Sequence, residues 1–248
     1  MENKFFFKNK FTNIYEKSSQ KSRVSSQILY GEKFKILSKN KHWLKIKTSF
    51  DNYIGYIKNK NYTKDHKPTH KVSSLKANIF NKPNNKTKYF LPFASKISII
   101  QENKKFSEFE KNRWIKKKDI KKISHKEKNY LKVLKLFLKT KYVWGGKTYK
   151  GIDCSGILQL FFYYNNKFYP RDTKDQIRYS IKNIKRKTYK KGDVMFWKGH
   201  VAICINSQKL IHAYGPKKKV LIMPIKETIN RIERTAKLVV KKISFMNY

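Results

Sequence analysis

The sequence predicts an α+β chain: a C-terminal helix-then-sheet domain over residues 124–248, preceded by two small β-barrels over 1–64 and 65–123. Three observations predict it. Short apolar-polar alternations separated by turn residues fill the first sixty positions. The same order recurs in degenerate form from Lys71 to Ile120. After Ser124 the apolar spacing changes from that of a strand to that of a helix.

In the first block, Ser26-Gln27-Ile28-Leu29-Tyr30 leads into Gly31, and Lys33-Phe34-Lys35-Ile36-Leu37 then alternates with period two. Trp43-Leu44-Lys45-Ile46-Lys47 repeats the pattern, and Tyr53-Ile54-Gly55-Tyr56-Ile57 follows the polar turn Asp51-Asn52. Asp65 to Pro68 reads as a polar linker. In the second block Val72–Ala77 and Asn78-Ile79-Phe80 precede the turn Pro83-Asn84-Asn85, and Arg113-Trp114-Ile115 stands near the end where Gly55-Tyr56-Ile57 stood in the first. Ser124 with Glu127 three residues on fits a capping box, and Tyr130, Leu131, Val133, Leu134, Phe137 and Leu138 place a helix through about Thr140. A glycine-rich loop (Tyr142–Ile152) leads to a second helix, Cys154–Tyr164. Pro170–Asn183 reads as loop and short helix, and strands follow at Asp193–Trp197, His200–Ile205, Leu210–Tyr214 and Val220–Pro224.

Sixty lysines and arginines against 16 acidic residues give a formal charge of +44. A nucleic-acid partner would explain such a charge if it were gathered on one face. Only Arg23, Arg113, Arg171, Arg178, Arg186, Arg231 and Arg234 are arginines, and the lysines run along the whole length, as a solvated coat would. No specific nucleic-acid partner is expected. No apolar run approaches the ~18 residues that span a bilayer, and Phe5-Phe6-Phe7 is too short for a secretory h-region. The expectation is therefore a cytoplasmic chain with no membrane partner. Two cysteines make no disulfide framework, and no zinc-type ligand spacing occurs, so neither a metal nor a cofactor is expected.

The chemistry concentrates on Cys154, His200 and His212. Cys154 lies where the glycine-rich loop becomes a helix, and unpaired N–H groups and the macrodipole there favour thiolate over thiol. The same N–H groups could hold an oxyanion. His200 opens one strand and His212 lies in the next. Both rings face one side only if the connecting loop has an odd residue count or a bulge. His200 could then take the thiol proton while His212 fixes its tautomer. Residue types alone leave open a buried structural cysteine and satisfied core histidines. Cys204, mid-strand among apolar neighbours, reads as core.

Tyr142-Val143-Trp144-Gly145-Gly146, Asp153-Cys154-Ser155-Gly156, Pro170-Arg171-Asp172-Thr173 with Gln176, Gly192-Asp193-Val194-Met195-Phe196, Gly199-His200-Val201-Ala202-Ile203 and Ile211-His212-Ala213 follow in that order. This run resembles the NlpC/P60 family of papain-like cysteine peptidases, from Ser124 to the C-terminus. The resemblance implies Cys154 as nucleophile, His200 as general base, His212 as the orienting third member and Tyr142 as an active-site tyrosine that helps the oxyanion. Family members cleave cell-wall peptides between γ-D-glutamate and a diamino acid such as meso-diaminopimelate.

The preceding blocks resemble the bacterial SH3-like domains of murein-peptide-recycling members, through Ser26–Glu32 and Asp51–Tyr56. In that subgroup the barrel walls off the cleft, and the substrate is a short murein peptide with a free N-terminal L-Ala. Asp153 is then expected to meet the substrate ammonium, Tyr53 to add a barrel contact, and Ser155 and Thr173 to bond the substrate backbone. The alternatives are a wall hydrolase acting on polymeric peptidoglycan, or a basic polyanion binder keeping an idle papain-like fold.

Overall fold

The computed structural model describes residues 4–180 and 188–246. The chain forms two compact units, Met1–Lys126 and Glu127–Tyr248.

Among the described residues, the first block of the N-terminal unit is a seven-stranded antiparallel sheet built from strands between Lys4 and Thr63. Alternation works as expected in Trp43–Thr48, where Leu44 and Ile46 point into the core and Lys45 and Lys47 away from it. Phe7, Ile14, Ile28, Phe34 and Ile57 complete that core. The second block pairs Lys76–Lys82 with Asn85–Pro92 and with Arg113–Lys116, which continues to Phe106–Glu110. A smaller sheet joins His70–Val72 to Lys96–Ile97 and Ile120–Lys122.

Tyr30 belongs to the first block by sequence but packs in the second block's core with Val72, Ile79, Leu91 and Phe109. Its hydroxyl donates to Glu110 at 2.5 Å, and Lys8 pairs with the same carboxylate at 2.6 Å. These contacts make the two blocks one unit. The expected linker is part of it: His66 is buried, its Nε2 at 3.0 Å from the Lys96 carbonyl and its Nδ1 at 3.1 Å from Ser98 Oγ. A side chain with both ring nitrogens satisfied ties down a segment whose composition alone read as a connector.

The second unit begins with α1 (Tyr130–Leu136), shorter than its periodicity predicts. The cap is Asn129, whose side chain accepts from the Lys132 N–H, rather than the Ser124–Glu127 box. Glu127 is held elsewhere, since its N–H donates to Asn165 Oδ1 and its carbonyl accepts from Asn165 Nδ2. α2 (Cys154–Tyr164) is buried along its whole length, which its near-continuous apolar sequence requires. It packs on α1 and on an antiparallel sheet with strand order Lys219–Pro224, Lys209–Tyr214, His200–Cys204, Asp193–Trp197, Lys242–Phe245.

α3 (Thr173–Tyr179) fulfils the short-helix expectation, while the end of the predicted Pro170–Asn183 segment, residues 181–183, lies outside the described residues. α4 (Ile225–Ala236) was not expected, although Ile225, Ile229 and Ile232 recur at helical spacing and pack on the sheet. No described helix is long and apolar enough to cross a membrane.

Candidate active site

Asp153 has extended backbone and caps α2, its Oδ1 accepting from the Gly156 N–H at 2.7 Å. That places Cys154 at the first helical position, 4% exposed. Gly156 is required because a Cβ there would lie 2.6 Å from the Gly146 carbonyl oxygen, so loop and helix approach more closely than alanine allows.

The Cys154 thiol lies 3.9 Å from the carbonyl oxygen of Gly199. Gly199 takes φ +76°, closing the tight turn between Trp197 and His200. The Thr173 hydroxyl and the Val201 N–H also bond the sulfur. Thr173 therefore stands beside the thiol.

Ile203 pairs with Ile211 and Cys204 with Leu210, so residues 205–209, an odd number, connect the two strands. This register sets His200, Ala202, His212 and Tyr214 on one face, the arrangement the sequence made conditional on loop parity. His200 Nε2 lies 2.9 Å from His212 Nδ1. The other nitrogen of His212, Nε2, lies 3.4 Å from Met223 Sδ, and Tyr214 stacks on its ring at 4.7 Å and 9°. His212 is 0% exposed.

The charge states differ from the sequence expectation for the thiol. Burial, with the Asp153 carboxylate adding to it, pushes the Cys154 thiol up to about 11; the Val201 N–H, Thr173 hydroxyl and Arg171 pull the other way and lose. Desolvation outweighs the helix terminus. Burial likewise lowers His200 to about 4, and His212 falls well below its ordinary value through burial and the neighbouring His200. The resting pair is a thiol and a neutral imidazole.

These histidines make the unit acid-sensitive. Between the ordinary value of 6.5 and about 4, the unfolded chain binds protons that the folded His200 refuses. Stability is therefore fully present above pH 6.5 and is lost as pH falls towards 4. We expect His200 to remove up to about 3 kcal/mol over that window, and His212 to act in the same direction. Urea unfolding at stepped pH checks this. His200→Gln should flatten the slope, and an unchanged slope in that variant would assign the acid loss to other groups.

Asp153 was expected to meet a substrate ammonium. Its carboxylate caps α2 and is paired within the fold, roles compatible with such a contact. Arg171 forks onto it (Nη1 to Oδ1 3.0 Å, Nη2 to Oδ2 2.7 Å), and the N–H groups of Gly145 and Gly156 complete the set. Ser155 lies in the same network, donating to Asp153 at 3.3 Å and accepting from Arg171 at 2.9 Å. Gln176 closes the corner by donating to the carbonyls of Ser155 and Pro170. Tyr142 is half-buried, and its ring lies over Gly215. Tyr53 belongs to the N-terminal unit, where its hydroxyl donates to the Ser25 carbonyl at 3.4 Å. Cys204 is core, as read.

Sequence reasoning assigned no part to Arg171 or Met223. Arg171 was findable: in a chain that meets almost every cationic need with lysine, an arginine beside a proline marks a site needing the planar fork.

Residues 139–237 match the NlpC/P60 family, and residues 14–61 match the bacterial dipeptidyl-peptidase Sh3 domain. The C-terminal domain is an NlpC/P60 cysteine peptidase domain. A gamma-D-glutamyl-L-lysine dipeptidyl-peptidase of Bacillus subtilis (strain 168) is 25% identical to this peptidase over 238 residues, covering 86% of this chain and 80% of that protein. Dipeptidyl-peptidase 6 of Lysinibacillus sphaericus is 36% identical over 77 residues, 31% of this chain and 28% of its own length. The crystal structure of an NlpC/P60 family protein from Bacillus cereus ATCC 10987 shares the fold, with a TM-score of 0.78 at 18% identity over 90% of this chain and 94% of that one.

Proposed function

We propose that this peptidase hydrolyses the amide between γ-D-glutamate and a diamino acid in short murein peptides with a free N-terminal L-Ala, and that it does so in the cytoplasm during cell-wall peptide recycling. The observation that carries the chemistry is the paired imidazoles of His200 and His212, 2.9 Å apart, on strands that bring the Gly199 carbonyl against the Cys154 thiol. In support of the substrate, the relative matching most of this chain's length is named for γ-D-glutamyl-L-lysine, and the N-terminal unit carries the Sh3 domain described for bacterial dipeptidyl-peptidases.

His200 Nε2 is engaged by His212, so Nδ1 is the nitrogen that takes the thiol proton. Sγ of Cys154 attacks the γ-glutamyl carbonyl carbon as that proton leaves. The oxyanion forms at the N-terminus of α2, where backbone N–H groups and Tyr142 stabilise it. His200 returns the proton to the leaving amine, giving a thioester. Water, deprotonated by His200, then releases the dipeptide and restores the thiol.

The test compares L-Ala-γ-D-Glu-diaminopimelate, its N-acetylated form and intact sacculi. The free-amine peptide should be cleaved with kcat/KM at least about tenfold above the acetylated one, since a lost charge-assisted contact costs that much. Equal rates on both peptides, or release of fragments from sacculi, would move the assignment to a wall hydrolase. Uptake of label by cell fractions decides the compartment: activity outside the cytoplasmic fraction ends the recycling role.

A further inference from the structure

We propose that Met223 is a positioning residue of the active site: its thioether sulfur, an acceptor that carries no proton, sets the tautomer of His212 and thereby leaves the lone pair of His200 on Nδ1. This rests on the reading of His200 as the base. Met223 Sδ lies 3.4 Å from His212 Nε2, a normal length for an N–H bond to sulfur. Both residues are buried, at 6% and 0% exposure, so bulk water offers the ring no replacement partner. The sheet register fixes the contact: Leu221 stands opposite His212 and Met223 opposite Leu210, placing the sulfur diagonally across from the ring. Stacking on Tyr214 holds the ring plane.

The rest follows from proton counting. A bond to sulfur requires the His212 proton on Nε2, so the neutral ring has a bare Nδ1. One proton lies between His212 Nδ1 and His200 Nε2, and it must then belong to His200. Neutral His200, protonated at Nε2, has its lone pair on Nδ1, where the thiol proton must go. In the opposite chain His212 donates from Nδ1, His200 is protonated at Nδ1, and it cannot act as base. Without an acceptor beside His212 Nε2, a buried N–H would be orphaned and the opposite chain gains population.

The experiment records ring ¹⁵N shifts of the histidines in the full-length protein at neutral pH. Wild-type His212 should be protonated at Nε2 and bare at Nδ1. Met223→Leu keeps the volume and removes the acceptor. It should shift His212 towards Nδ1–H and lower kcat about five- to tenfold on the γ-D-glutamyl peptide, with KM changed less than about twofold. Met195→Leu makes the same chemical change in the same apolar cluster and should alter neither quantity.

A wild-type spectrum with His212 protonated at Nδ1 overturns the proposal even if the Leu variant does not fold. So does an unchanged tautomer and kcat in Met223→Leu, or an equal loss in Met195→Leu. The expected spectrum in a protein that leaves the murein peptide intact would keep the tautomer relay and discard the substrate.

Discussion

Cys154→Ala is expected to leave L-Ala-γ-D-Glu-diaminopimelate intact under conditions where the wild type exhausts it, a loss of at least about 10⁴-fold in kcat. The thiol is neutral at rest, so the proposed reaction depends on a group that can lose its proton to His200 while forming a bond to carbon. Alanine offers neither. The exchange leaves the fold in place, because it removes one sulfur atom from the first turn of α2 and none of the Asp153 cap bonds. The cavity should cost about 1 kcal/mol. Mass spectrometry of the quenched wild type should show a dipeptidyl adduct on Cys154, absent from the variant. Turnover by Cys154→Ala at the wild-type rate would remove the thiol from the mechanism.

Arg171→Met is expected to be the most damaging single change to the fold of the second unit. Arg171 is 3% exposed and places both guanidinium arms on a carboxylate that is also buried. Removing it leaves Asp153 charged, out of water, and held only by the N–H groups of Gly145 and Gly156 and by Ser155. Breaking one side of such a pair costs about 3–5 kcal/mol. The loss should fall on activity as well, since Asp153 caps the helix that carries the thiol. Arg171→Lys keeps a charge but not the fork, and should lie between wild type and Arg171→Met. Adding Asp153→Asn to Arg171→Met removes the stranded charge and should recover part of the stability, so the two changes are not additive. Urea unfolding at neutral pH reads all four proteins. A stability within about 1 kcal/mol of wild type for Arg171→Met would mean that the pair is solvated and contributes little.

Much of the site was legible in the chain because its signals are local. A cysteine between a glycine-rich loop and an apolar run falls at a helix start whatever surrounds it, and an aspartate just before it caps that helix. The parity of the loop between two strands determines whether their histidines share a face, but the expected strand ends Ile205 and Leu210 leave an even four residues between them, and only the observed pairing of Cys204 with Leu210 makes the count five. Strand alternation likewise marked Leu44 and Ile46 as core and their lysine neighbours as solvent-facing.

What the chain could not announce by itself depends on neighbours far away along it. Helix position argues for a low thiol pKa, yet burial decides the direction, and burial is set by strands some forty residues on. Asp153 reads as a substrate contact, and only the structure shows that Arg171, eighteen positions later, pairs with its carboxylate. Met223 has no motif at all; only sheet register brings its sulfur to His212. Propensity and spacing act through the residues adjacent in sequence, so they determine which groups are present and which element carries them. Desolvation and pairing act through the residues adjacent in space, and those set the charge, the tautomer and the partner of each group.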